Sequence, residues 1–314
     1  MHGKVALITG GTQGIGKETA RGLARLGATV VLVARDQRRG EAAISDIKAS
    51  SNNPAVEMLM ADLSSQADVR NLAKVFASRH EHLHVLVNNA GNHFPRRRVS
   101  VDGIEMSLAL NHLASFLLTR LLLDPMRVSA PTRIINVVSA SMARSIDLND
   151  LEGAREYRPW QAYGQAKLAN VLFTYTLARR LAGTGVTVNC LHPGMVATNI
   201  AREAAPLWLP RPMTEILIHL LLLSQVLLTP EQGAQTSLYL ATSPAVEGVT
   251  GKYFARGKEK RSVPVSYDVP LQERVWAVSE QLTGLATRGW CLSSGGKCWS
   301  SYRTSYTLID SAPP

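Results

Sequence analysis

The feature that most restricts the fold of this chain is a repeated alternation of continuous apolar runs of strand length with segments of helical periodicity. Lys4–Thr9, Ala28–Ala34, Val56–Ala61, His84–Val87, Thr132–Val138 and Val186–Leu191 are such runs, and Gly251–Phe254 is a shorter last one. A strand with one wet face alternates apolar and polar residues, whereas a strand covered on both faces is apolar throughout. The runs therefore predict an α/β fold built on a parallel sheet with helices on both faces. With 314 residues, 46% of them hydrophobic and 18% charged, a single large domain over residues 1–285 is expected, closed by an amphipathic helix at Leu271–Leu285. From residue 286 to 314 periodicity stops and Ser, Gly and Thr dominate, so a poorly ordered tail without a catalytic role is expected there.

The first apolar run ends in Gly10-Gly11-Thr12-Gln13-Gly14-Ile15-Gly16, and a helix-like stretch follows to Leu26. Glycines at such a junction let the backbone turn tightly and approach a pyrophosphate, whose charge sits against the amides of a helix N-terminus. A glycine-rich turn with no ligand is the alternative reading of this stretch taken alone. The second run leads into Arg35-Asp36, where a dinucleotide fold reads the adenosine ribose. An Arg there suits a 2'-phosphate and an acid suits a free 2'-hydroxyl, so Arg35 favours NADP(H) while Asp36 keeps NAD(H) open. Asp62-Leu63 follows the third run, and an acid there either meets the adenine amino group or caps the next helix. The fourth run closes on Asn88-Asn89-Ala90-Gly91, a place for backbone to bend beside a cofactor.

Tyr163 and Lys167 stand four residues apart in a segment that reads as helix with an apolar face, and so share one face. A phenol titrates near ~10 in isolation, so it exchanges a proton near neutrality only where a cation such as Lys167 stabilises the phenolate. Ser139 falls at the carboxyl end of the fifth run, where open α/β sheets place their ligands. Asn111 lies in Gly103–Met126, which reads as one long helix. Taken singly, Ser139 also reads as a strand-end cap and Asn111 as an amide bonded to its own helix backbone.

The remaining features narrow the function classes. The net charge of +10 permits attraction to phosphates, acidic lipid or nucleic acid, but the basic residues are scattered and no nucleic-acid motif is present, so no nucleic acid is expected. Arg96-Arg97-Arg98 reads as a solvated run, with acidic headgroups as the alternative contact. Cys190, Cys291 and Cys298 offer neither a disulfide framework nor zinc spacing, and His80-Glu81-His82-Leu83-His84 reads as a solvated turn, so no metal is expected. Met1-His2-Gly3 runs straight into a strand, which leaves no room for a signal peptide or N-terminal anchor. A cytoplasmic, reducing location is expected, with peripheral membrane contact left open. Residues 201–230 change composition, with Trp208, Leu209 and Pro210 before Ile216–Leu223. That run is too short to span a bilayer and reads as a lid over an apolar pocket, an interfacial helix, or core.

Thr9-Gly10-x3-Gly14-Ile15-Gly16, Asn88-Asn89-Ala90-Gly91, Asn111, Ser139, Tyr163-x3-Lys167 and Pro193-Gly194 together resemble the short-chain dehydrogenase/reductase family from about residue 3 to 285. The finer pattern of Asn111–Thr119, Ala162–Asn170 and His192-Pro193-Gly194 is similar to its retinol-dehydrogenase-like branch, whose members act on retinoids, polyprenols and other lipid alcohols or aldehydes. The resemblance implies a single doubly wound Rossmann-type parallel sheet and an NADP(H)-dependent oxidoreductase for an apolar alcohol or carbonyl, working as a dimer or tetramer. It implies that Tyr163 is the acid or base, that Lys167 lowers the phenol pKa and binds the nicotinamide ribose, and that Ser139 bonds the substrate oxygen. By the same resemblance Asn111 holds a water joining Lys167 to solvent, Thr198 bonds the carboxamide, and Val196 packs against the nicotinamide ring. The competing reading is a nucleotide-binding sensor of the same fold that has lost catalysis.

Overall fold

The computed structural model describes residues 1–197, 221 and 227–285. Thr198, most of the 201–230 segment and the 286–314 tail lie outside the described residues. The strands are β1 (Val5–Thr9), β2 (Thr29–Ala34), β3 (Val56–Met60), β4 (Val85–Asn88), β5 (Thr132–Val137), β6 (Val186–His192), β7 (Tyr253–Ala255) and β8 (Lys258–Lys260). They form one sheet in the order β3-β2-β1-β4-β5-β6-β7-β8. Every pairing from β3 to β7 is parallel. The chain reverses its direction of winding between β1 and β4, which opens a crevice at the carboxyl ends of those two strands.

β8 was not legible as a strand. It pairs antiparallel with β7 across Arg256-Gly257, both at positive φ, and all three of its residues are exposed. A charged sheet edge carries no apolar run to read, and the charge protects it from pairing with other chains.

The helices are α1 (Gly14–Arg25), α2 (Gln37–Ser51), α3 (Gln66–Arg79), α4 (Met106–Leu108), α5 (Ala114–Leu121), α6 (Leu123–Val128), α7 (Pro159–Arg180), α8 (Pro230–Thr242) and α9 (Val269–Leu282). Alternate residues of each strand feed opposite faces of the sheet. Ile8 and Leu32 pack with Leu23 of α1, Ile47 of α2 and Leu240 of α8, while Leu7 and Val31 pack with Leu72 of α3, Phe116 of α5, Phe173 of α7 and Trp276 of α9. Helices thus cover both faces, as the unbroken apolar runs require.

One helical expectation needs correction. Gly103–Met126 is not one helix: α4 gives way to a π turn over Ala109–Leu113, then to α5 and α6, and Ala114 N bonds Ala109 O in the i to i+5 pattern. A π turn has no propensity signature of its own, and such turns concentrate at functional sites. The apolar face expected of α7 is buried, and burial extends all the way round it, over every residue from Ala162 to Ala178. The sheet covers one side of it, and α9 with the π turn covers the other. Its polar residues are paired inside, for example Thr174 Oγ1 with Asn136 Nδ2 at 2.9 Å.

Candidate active site

The junction of β1 and α1 is shaped by glycines. Gly14 has φ 56, a left-handed conformation that only glycine adopts without strain. A Cβ on Gly16 would run into the Gly10 carbonyl and the Asn89 side chain. The turn is clamped to the end of β4 by Thr9, whose Oγ1 accepts from Asn89 N at 2.9 Å and Ala90 N at 3.0 Å. In return Asn89 Nδ2 donates to the carbonyls of Thr9 at 3.0 Å and Gly10 at 3.2 Å. Gly10, Thr12, Gln13, Gly14, Ile15, Gly16, Asn89, Ala90 and Gly91 therefore gather at the switch point. Ile15 and Val196 both pack against Gly233 of α8, each within 3.2 Å of the place a Cβ there would occupy. Pro193 and Gly194 lead from β6 to that contact, with Gly194 N donating to His192 Nδ1 at 3.2 Å.

At the end of β2 the two ribose candidates are used differently. Arg35 is exposed, while the Asp36 carboxylate caps α2 by accepting from Arg39 N at 2.9 Å. Asp62 does not cap α3, a role taken by Ser65. Its Oδ1 instead accepts from Ser64 N at 2.9 Å and Ser64 Oγ at 2.8 Å, and Leu63 beside it is buried.

Ser139, just past β5, is held against α7 by a short turn. Ser141 N donates to Ser139 Oγ at 3.1 Å, and Ala143 N donates to the carbonyl of Gly164, the residue after Tyr163, at 2.9 Å. A Cβ at Gly164 would stand 3.0 Å from both Ala143 N and the Ser141 carbonyl, so a side chain there would push this turn back by a few tenths of an ångström. The result is that the Ser139 hydroxyl lies close enough to the buried Tyr163 phenol to bear on its titration.

Lys167, one turn further along α7, is buried and donates from Nζ to the Val137 carbonyl at 3.1 Å. Burial pushes its ammonium down to about 8. The expected lowering of the phenol by Lys167 is not what these residues produce among themselves. Burial pushes Tyr163 up, with the Ser139 hydroxyl working against it, and the ammonium sits 5.7 Å from the ring centroid, turned towards Val137.

Asn111 sits in the π turn with its side chain fully engaged: Oδ1 accepts from Asn92 N at 2.8 Å, and Nδ2 donates to the carbonyls of Asn92 and Ser107, each at 3.0 Å. Its own carbonyl accepts from Asn170 Nδ2 at 2.6 Å. Asn111 Oδ1 and Lys167 Nζ converge on Gly91, at 2.5 and 3.0 Å from the position of a Cβ there. The four residues Asn111, Ser139, Tyr163 and Lys167 are thus brought to one end of the sheet.

Several partners escaped the sequence reading. A buried ladder crosses the sheet from Thr119 through Asn88 and Asn136 to Thr174, each step 2.9 Å. Tyr163, Lys167, Asn170 and Thr174 recur at helical spacing, and that polar stripe on an otherwise apolar helix was the available signal. Beside the phenol, His93 lies against Trp160 with ring centroids 4.3 Å apart, and Trp160 meets Tyr163 edge-on at 5.8 Å. The three histidines before β4 each have a protein neighbour: His80 Nε2 lies 2.6 Å from Glu57, His82 Nδ1 lies 3.2 Å from Ser129 Oγ, and His84 Nδ1 accepts from Val5 N at 3.0 Å. Arg96, Arg97 and Arg98 are exposed, with Arg97 Nε on the Glu152 carbonyl at 3.2 Å.

The family model described as short chain dehydrogenase matches residues 4–206. Bovine (Bos taurus) retinol dehydrogenase 12 is 42% identical over 288 residues, covering 91% of this chain and 88% of the relative. The chain belongs to the short-chain dehydrogenase family. Within that family it falls in the retinol-dehydrogenase-like branch, where human (Homo sapiens) polyprenol dehydrogenase is 39% identical over 289 residues, covering 90% of this chain and 86% of the relative. Among solved structures, a Mycobacterium paratuberculosis protein superposes with a TM-score of 0.71 at 32% identity, covering 90% of this chain and 94% of that one. Pseudomonas aeruginosa RhlG in its NADP active-site complex gives 0.65 at 29% identity, covering 81% and 94%. As a short-chain dehydrogenase the protein is an α/β oxidoreductase for a nicotinamide nucleotide. Among the described residues no helix is long and apolar enough to cross a membrane.

Proposed function

We propose that this short-chain dehydrogenase interconverts an apolar alcohol and its aldehyde or ketone with NADP(H), and that Tyr163 is the acid and base of the reaction. The observation that carries the reading is the buried Tyr163 phenol beside the Ser139 hydroxyl at the carboxyl end of β5, with Lys167 one turn further along α7. Two neighbouring hydroxyls can converge on one point where a carbonyl oxygen accepts from both.

The glycine turn suits a dinucleotide, because the space a side chain at Gly16 would fill is kept for close backbone approach at the start of α1. Gly14, Ile15 and Gly16 would hold the pyrophosphate, Asp62 and Leu63 the adenine, and Ala90, Gly91, Pro193, Gly194 and Val196 the nicotinamide end, with Thr198 on the carboxamide. NADP(H) is favoured over NAD(H) because Asp36 is occupied as a helix cap while Arg35 is left to meet a 2'-phosphate. When bound, the nicotinamide supplies or accepts the hydride. Tyr163 then gives its proton to the forming alkoxide, Ser139 fixes the oxygen, and Lys167 holds positive charge beside the phenolate and on the ribose hydroxyls. Asn111 keeps Lys167 in line with water.

The names of the relatives, retinol and polyprenol dehydrogenases, support a long apolar substrate. Residues 201–230 are the natural lid for it, on a single domain of residues 1–285, with 286–314 outside the chemistry. Purified protein should consume NADPH with retinal, prenal or a steroid carbonyl, and Tyr163→Phe should lose turnover while keeping nucleotide affinity. Full turnover by Tyr163→Phe sinks the mechanism. Tight nucleotide binding with no turnover across the panel identifies a sensor instead.

A further inference from the structure

A buried hydrogen-bond chain runs from the π turn to the closing helix. Asn170 Nδ2 donates to the Asn111 carbonyl at 2.6 Å, Asn170 Oδ1 lies 2.8 Å from His112 Nδ1, and His112 Nε2 lies 2.8 Å from Ser279 Oγ on α9. The chemistry fixes the directions at Asn170. A carbonyl only accepts, so the amide end facing Asn111 is NH2 and the end facing His112 is oxygen. Nδ1 of His112 therefore carries the hydrogen, while the single hydrogen of Ser279 Oγ, which donates to the Val275 carbonyl at 2.7 Å, lies between that carbonyl and His112 Nε2. His112 is 1% exposed, and the rings nearest it, Phe116 and Phe173, are apolar. An imidazole that donates to Asn170 on one side and lies against Ser279 Oγ on the other has a single orientation in such a site.

We infer that His112 and Asn170 are positioning residues: they hold the π turn so that Asn111 and Lys167 keep their register, and Ser279 on α9 fixes the imidazole that does so. The inference rests on the proposed roles of Tyr163 and Lys167. Its geometric reason is that a π turn displaces backbone carbonyls from the α-helical pattern, and a side-chain donor from the next helix compensates for the displacement. Asn170 stands three residues after Lys167 on α7, so one rigid helix carries both the ammonium and the amide that fixes its neighbour.

Two substitutions at one position separate positioning from filling. In His112→Asn the amide nitrogen takes roughly the place of Nδ1 and still donates to Asn170, whereas in His112→Gln the polar end reaches towards Ser279 and the donor to Asn170 is lost. The expected result is a fall in kcat of about tenfold or more in His112→Gln, with nucleotide Kd and carbonyl KM changed less than about threefold, and recovery of much of that loss in His112→Asn. Hydrogen exchange of the peptide covering 106–113 should quicken in His112→Gln and not in His112→Asn, a readout that needs no turnover. Equal kcat and equal exchange in the two variants overturn the inference. Should His112→Gln fail to fold, Ser279→Ala decides: faster exchange over 106–113 with a lower kcat supports it, and wild-type values of both overturn it. Failure of the wild type to turn over any carbonyl counts against the proposed function alone, and the exchange measurement still decides the positioning role.

Discussion

Lys167 Nζ donates to the carbonyl of Val137 at 3.1 Å, which anchors the ammonium of α7 to the last residue of β5, two positions before Ser139. One strand end thus fixes both the hydroxyl that meets the phenol and the cation behind it. The arrangement has a cost in stability, because the ammonium is kept where burial lowers it from its ordinary 10.5 to about 8.

Lys167→Met should therefore separate activity from stability. Turnover should fall by about a hundredfold or more, as for loss of an acid–base partner. The folded state should gain as much as roughly 3 kcal/mol at neutral pH, at about 1.4 kcal/mol per pH unit. The sign follows from the folded pKa lying below the unfolded one: between pH 8 and 10.5 the unfolded chain holds more protons, so wild-type stability rises with pH there. Urea midpoints of the two proteins should differ most below pH 8 and converge above 10.5. A less stable Lys167→Met at pH 7 contradicts this account.

Gly91→Ala should damage the site without touching the nucleotide turn directly. Its Cβ would stand 2.5 Å from Asn111 Oδ1 and 3.0 Å from Lys167 Nζ, and the backbone there is not left-handed, so crowding is the whole effect. Overpacking of this kind costs about 1–3 kcal/mol. The expected signature is a lower kcat with a lower melting temperature, and an unchanged kcat would show that Lys167 and Asn111 can move apart without consequence.

Arg35 and Asp36 make a matched pair of tests for nucleotide choice. Arg35→Ala should weaken NADPH by about tenfold or more relative to NADH, the size of a lost charged hydrogen bond. Asp36→Ala should leave that ratio in place and cost about 1 kcal/mol of stability through the missing cap on Arg39 N. If Asp36→Ala shifts the ratio and Arg35→Ala does not, the assignment is reversed.

The sequence was most informative where one physical cause dominates. β1, β2, β4, β5 and β6 are covered on both faces, so their apolar runs are unmistakable, and the spacing of Tyr163 and Lys167 is a property of any helix. It was silent where structure depends on distant partners. Asn88 and Asn136 look like polar faults in apolar strands until β4 and β5 lie side by side. The π turn hides in a continuous stretch of Leu, Ala and Ser because only Asn170, 59 residues away, explains why it is tolerated. β8 is three charged residues whose only strand signal is the turn before it. For the same reason the site was legible as a set of residue types, but the turn that presses Ser139 onto Tyr163 through Gly164 was not.

His112 should give the protein an acid limit. Burial lowers its pKa from the ordinary 6.5 to about 4. Above 6.5 both folded and unfolded chains hold the ring neutral and nothing changes. As pH falls through the window from 6.5 to 4 the unfolded chain takes up the proton first, so stability declines with falling pH. The full decline attributable to this ring is roughly 3 kcal/mol, again at about 1.4 kcal/mol per pH unit. His112→Asn removes the titrating group while keeping the donor to Asn170, so its urea midpoint should fall less steeply than the wild type's between pH 6.5 and 4. Parallel curves for the two proteins would mean that the ring opens to water before it is protonated, and that the chain from Asn111 to Ser279 is not a closed unit.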